Sequence, residues 1–269
     1  MSAPKKPRKA VYILPNLLTT GGMFFGFYAI IAALTGKYEY GAAAIFIAGI
    51  FDALDGRVAR AMGATSAFGK EYDSLADFLS FGIAPAMLVH QWALDPYNRL
   101  GWAAAFFFVM CGALRLARFN VQHYVQEERI SNRYFQGLPI PMAAVVMAGM
   151  ILLFVDWDML QTGVDAERSF GGWVVLGIVF TLGGLMVSSI RFRSFKDFDW
   201  HRERPFLTLV AVVGFITLLT IHTNTTLFLV VALYLLSGFH SHREYRLLLA
   251  EGKEVQQDEV EDLTVQQKS

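Results

Sequence analysis

The chain has 269 residues, of which 55% are apolar and only 17% charged, with a mean hydropathy of +0.41. Globular domains carry about 25% charged residues, so this composition argues against a soluble enzyme and, outside the tails, against disorder. Twenty-three basic residues balance 23 acidic ones, which leaves no basic field for nucleic acid; the single Cys111 removes any internal disulfide or thiolate zinc site.

In chain order, apolar runs predict eight membrane-spanning helices near 16–36, 41–62, 69–92, 100–121, 138–155, 171–190, 205–222 and 225–240, since about 20 residues cross ~30 Å of hydrocarbon. The basic residues Lys5 to Lys9 precede a stretch interrupted by Pro15-Asn16 and Thr19-Thr20-Gly21-Gly22. That pattern reads as a retained first span rather than a signal peptide. The last two runs are short and read as one helical hairpin turning at Thr223-Asn224. With the N-terminus cytoplasmic, every Lys and Arg except Lys37, Arg99 and Arg168 falls on the cytoplasmic side, as the positive-inside rule requires. Both termini are therefore expected inside. The Gln- and acid-rich tail after about Ala250 reads as disordered. No internal repeat supports an inverted-repeat transporter.

Asp52, Asp55, Arg60, Asp73 and Asp77 sit in or beside the second and third apolar runs. A charge at a helix centre costs roughly 2.5–3.5 kcal/mol on insertion scales, so intramembrane acids are functional candidates. At about 100° per residue, Asp52, Asp55, Gly56 and Ala59 share one helical arc, and Gly69, Asp73, Ala76, Asp77 and Ser80 share another. A short loop makes the two helices antiparallel neighbours, so four like charges can meet. Two divalent cations would neutralise them, and an all-oxygen set favours Mg²⁺, Mn²⁺ or Ca²⁺. A pair of such ions is a common device for displacement at phosphorus. Gly56, Ala59 and Gly69 leave room for a substrate, and Arg60 offers a fixed fork for phosphate oxygens; close helix packing is the other reading of the glycines. An ion-coupled transporter would also use membrane acids, but it leaves Arg60, Gly56 and the fixed gap to Gly69 unexplained.

The pattern Asp52-x2-Asp55-Gly56-x2-Ala59-Arg60-x8-Gly69-x3-Asp73-x3-Asp77 resembles the signature of the CDP-alcohol phosphotransferases at every fixed position. The resemblance implies an all-α integral membrane protein with a six-helix core, here extended by the C-terminal hairpin, and usually a homodimer. It implies two Mg²⁺ or Mn²⁺ ions, with Ca²⁺ a non-productive occupant, held by Asp52, Asp55, Asp73 and Asp77, and it makes Asp77 the general base. Gly56, Ala59, Arg60 and Gly69 would face the CMP half of the donor, as would Asn16 and Thr19 of the segment Pro15-Asn16-Leu17-Leu18-Thr19.

Within the family, Leu114-Arg115-Leu116-Ala117-Arg118-Phe119-Asn120 and Phe135-Gln136-Gly137-Leu138-Pro139 are similar to members that use CDP-diacylglycerol as donor and L-serine as acceptor. Arg118, Asn120, Gln136 and Gly137 are the corresponding candidates for serine binding; an Arg fork suits the serine carboxylate better than a Lys would. Other acceptors considered are glycerol phosphate, inositol phosphate and choline. The expected organisation is a cytoplasmic segment 1–14, a six-helix catalytic membrane domain 15–200, a hairpin 201–242 and a cytoplasmic tail 243–269. The expected setting is the bacterial inner membrane, with the site on its cytoplasmic side.

Overall fold

The computed structural model of the chain describes residues 12–64, 66–124, 134–156 and 169–193. The expected N-terminal segment before residue 12, the hairpin of spans seven and eight, and the C-terminal tail lie outside the described residues.

Helices α1 (Ile13–Leu34) and α2 (Tyr38–Ala61) form an antiparallel pair. Their buried positions are mostly small, including Ala29, Ala32 and Ala33 on α1 and Ala42, Ala44 and Ala48 on α2. Small side chains let two helix backbones approach closely where lipid offers no hydrophobic drive. At Gly22 an added Cβ would stand 3.6 Å from the Ala48 carbonyl oxygen.

The third span, expected as one helix over 69–92, is subdivided. Helix α3 (Ala67–Asp77) gives way to a π-helical turn (Phe78–Ile83), then α4 (Ala84–Val89), a second π-helical turn (His90–Leu94) and a 3₁₀ turn (Asp95–Tyr97). Pro85 accounts for the first change of winding. It lacks the N–H that an α-helix would give to the Phe81 carbonyl, and its ring would crowd that carbonyl. Widening the helix just ahead of it relieves both problems, and such wide turns recur at functional sites.

Helix α5 (Arg99–Tyr124) is followed by β1 (Tyr134–Gln136), α6 (Ile140–Asp156), α7 (Phe170–Val187) and β2 (Arg191–Arg193). The strands pair antiparallel, with Phe135 opposite Phe192; they were not foreseen from the sequence. Gly137 leaves β1 at φ +78°, and a Cβ there would strike the Met186 carbonyl oxygen, so only glycine fits. Its N–H bonds the Ile190 oxygen at 2.8 Å. The entry to α6 is thereby fastened to the exit of α7.

Among the described residues, three helices are long and apolar enough to cross a membrane: Ile13–Leu34, Arg99–Val121 and Phe170–Val187, with a shorter apolar helix at Ile140–Val155. Helix α2 has the length but carries Glu39, Asp52, Asp55, Arg57 and Arg60. The core gathers Phe81, Leu88, Trp92, Phe108, Met147, Ile151 and Val179. Large apolar residues also face outward: Trp102, Phe106, Met110 and Leu114, each four residues apart on α5, are all exposed. That stripe suits a hydrocarbon solvent.

Candidate active site

The three buried polar side chains among the described residues are Thr19, Asp55 and Ser80. All three line a single cleft, with Gly22, Met23, Ala48, Asp52, Asp73, Ala76, Asp77 and Phe81. Three segments therefore converge: the first half of α1, the middle of α2 from Ala48 to Asp55, and α3 with the π-helical turn behind it.

Local sequence explains why the acids meet. Helix α2 stops on a left-handed Gly63 (φ +59°), whose N–H bonds the Arg60 carbonyl at 3.2 Å while the Ala64 N–H bonds Ala59 at 2.8 Å. This paired closure satisfies the last carbonyls of α2. The next helix starts at Ser66, whose Oγ accepts the Gly69 N–H at 3.0 Å. The gap between Arg60 and Gly69 is thus one helix stop and one helix start, and it returns Asp73 and Asp77 to Asp52 and Asp55. Gly63→Val should cost about 1–2 kcal/mol through the disfavoured left-handed backbone, and Gly63→Asn far less; thermal unfolding in detergent measures the difference.

Each of Asp52, Asp55 and Asp73 offers an oxygen, and these oxygens all lie within 4.8 Å of one another. Asp77 stands beside this triad, within hydrogen-bonding reach of Asp52. At 4.8 Å each like pair in the triad costs about 3.5 kcal/mol at an effective dielectric of 20. Among the described residues the cleft lining has no Lys or Arg. The donor set is all carboxylate, so it fits a hard divalent cation and not zinc or copper.

Several of the expected nucleotide residues lie near this cage. Arg60 folds back over Gly56, its Nη1 3.5 Å from where a Cβ at Gly56 would stand, and its charge acts on Asp55. Gly69 has the Asn16 Oδ1 3.6 Å from its missing Cβ, which puts those two candidates together. Ala59 is half-buried in the last turn of α2. Thr19 differs: its hydroxyl donates to Asp55 Oδ2 at 2.7 Å.

The serine candidates are not gathered in this cleft. Arg118 is exposed near the end of α5. Asn120 is engaged with Ser74 of α3, each accepting from the other at 3.2 Å. Gln136 belongs to the β ladder, and Gly137 is buried at the α6–α7 junction.

Sequence reading missed Gly22, Gly26 and the depth of Ser80. Ser80 Oγ donates to the Gly22 carbonyl at 3.2 Å, and a Cβ on Gly26 would collide with Ser80. The spacing Gly22-x3-Gly26 was the available signal, being a close-packing pattern for membrane helices.

Bilayer-length helices with a caged set of carboxylates between them define a helical membrane protein with a centre suited to divalent cations. The CDP-alcohol phosphatidyltransferase family model matches residues 12–182, and the chain belongs to that family. A Helicobacter pylori (strain J99) protein named CDP-diacylglycerol–serine O-phosphatidyltransferase is 36% identical over 233 residues, covering 86% of this chain and 92% of the relative. A Saccharomyces cerevisiae protein of the same name is 42% identical over 184 residues, 64% of this chain and 66% of its own. An archaetidylserine synthase from Methanothermobacter thermautotrophicus is 35% identical over 181 residues, 66% and 69% of the two chains.

Proposed function

We propose that the chain transfers the phosphatidyl group of CDP-diacylglycerol to the hydroxyl of L-serine, giving phosphatidylserine and CMP. The observation that carries the chemistry is the triad of Asp52, Asp55 and Asp73 with Asp77 at its side. The choice of acceptor is supported by relatives named for serine transfer that align over most of the chain.

Asp52, Asp55, Asp73 and, at its margin, Asp77 would hold two Mg²⁺ or Mn²⁺ ions. Those ions supply charge stabilisation at the phosphate oxygens and the departing CMP. The residues of this chain do the rest. Arg60, with Gly56, Ala59, Gly69 and Asn16, holds the nucleotide half. Asp77 accepts the serine hydroxyl proton as that oxygen bonds the phosphorus bearing diacylglycerol; the bond from that phosphorus to the bridging oxygen breaks, and the oxygen leaves with CMP. Asp77 fits the base role because it adjoins the cage without being one of its three mutually close members. Attack is direct in this reading, with Asp77 beside the cage as the base. Exchange of labelled CMP into donor without serine would contradict this.

Arg118 is the serine carboxylate's partner in this reading, with Gln136 and Gly137 near the same cytoplasmic rim and Asn120 setting the position of α5. The Lys and Arg distribution supports a site facing the cytoplasm and eight spans divided as 15–200 and 201–242, flanked by segments 1–14 and 243–269; a bacterial inner membrane is the setting in this reading. A homodimer follows from the family resemblance.

The deciding experiment is mass analysis of lipid products from purified protein, CDP-diacylglycerol and Mg²⁺ or Mn²⁺, offered serine, glycerol phosphate, inositol phosphate or choline. Phosphatidylserine should form, stop on adding EDTA and resume with excess Mn²⁺. Product from a different acceptor alone would overturn the serine reading, and product in EDTA the metal reading.

A further inference from the structure

We propose that Thr19 is a positioning residue for the cation cage, holding the Asp55 carboxylate in its ligating orientation, and not a nucleotide contact. The inference rests on Asp52, Asp55 and Asp73 being divalent-cation ligands.

Thr19 and Asp55 are 6% and 5% exposed. The Thr19 hydroxyl has a single proton and two acceptors in reach, Asp55 Oδ2 at 2.7 Å and the Pro15 carbonyl at 3.1 Å. The shorter distance and the carboxylate charge direct the proton to Asp55. That leaves Thr19 Oγ1 no proton for a nucleotide.

An aspartate needs such a stop. Its terminal torsion is broad, so backbone position alone does not fix where its oxygens point. Asp55 lies among like charges that would turn it away; the Gly56 N–H and the Arg60 charge act on it from its own helix, and Thr19 holds it from α1. Thr19 is well anchored for the task. Its own helix is keyed to the third span at Gly26 and Ser80, and to α2 at Gly22. A branched Thr side chain also has few rotamers in a helix.

The test is a titration of Mn²⁺ by electron paramagnetic resonance in detergent, without nucleotide, on wild type, Thr19→Val and Thr19→Ser. Val keeps the shape and removes the donor; Ser keeps the donor. Losing an outer hydrogen bond to a metal ligand typically lowers affinity about 10–100-fold, and that loss is expected for Thr19→Val, with Thr19→Ser close to wild type. At saturating Mn²⁺ the KM for CDP-diacylglycerol should be unchanged in Thr19→Val. An unchanged Mn²⁺ affinity overturns the proposal, as does a raised donor KM with an unaltered Mn²⁺ titration. If Thr19→Val does not fold, Thr19→Ala lacks the same donor and is read by the same two outcomes. A wild type that takes up no Mn²⁺ sinks the cation cage itself; binding that is normal in wild type and in Thr19→Val sinks the role of Thr19 alone.

Discussion

Asp77→Asn is expected to lower kcat by about 10²–10⁴-fold, the usual worth of a positioned general base, while Mn²⁺ binding falls little. The separation follows from geometry. Asp52, Asp55 and Asp73 are mutually within 4.8 Å, and Asp77 adjoins that group through Asp52. Asn keeps the size and can still hydrogen-bond Asp52, but it cannot accept a proton from serine at neutral pH. Release of CMP from CDP-diacylglycerol and serine measures the first effect, and Mn²⁺ titration the second. Equal loss of both would make Asp77 a principal ligand and move the base elsewhere.

Asp73→Asn should behave differently: turnover and Mn²⁺ binding collapse together. Charge stabilisation by bound metal contributes several kcal/mol, and about 4 kcal/mol corresponds to roughly a thousandfold in rate. The same substitution relieves repulsion within the triad, worth about 3.5 kcal/mol per pair at an effective dielectric of 20. The metal-free variant should therefore unfold at a higher temperature than metal-free wild type. Adding Mn²⁺ should reverse the order, because the wild type gains binding energy and the variant does not. Thermal scans in EDTA and in Mn²⁺ check both signs. A variant less stable than wild type under both conditions would show Asp73 serving the fold and not the cation.

The acid cage was legible in the sequence because it is built locally. Asp52 and Asp55 lie three residues apart, Asp73 and Asp77 four apart, and helical periodicity puts each pair on one face. The helix stop at Gly63 and start at Ser66 then oppose the two faces. What escaped was nonlocal. The pairing of Phe135 with Phe192 joins strands of three residues, too short for any periodicity to reveal. The wide turn at Phe78–Ile83 answers a clash at Pro85 that a uniform 100° rotation cannot represent. Partner choice was also hidden. Thr19 and Asn120 both looked ready for substrate, yet one is engaged by Asp55 and the other by Ser74. A hydroxyl or an amide serves either purpose, and only the packed neighbours decide.

Every side chain lining the cleft lies between Thr19 and Phe81. The acid cage and its cleft are thus encoded, among the described residues, in less than the first third of the polypeptide, by passages adjacent in order of synthesis. Contacts of short sequence separation form early and at small entropic cost, so the cage has all its parts while the ribosome is still making α5.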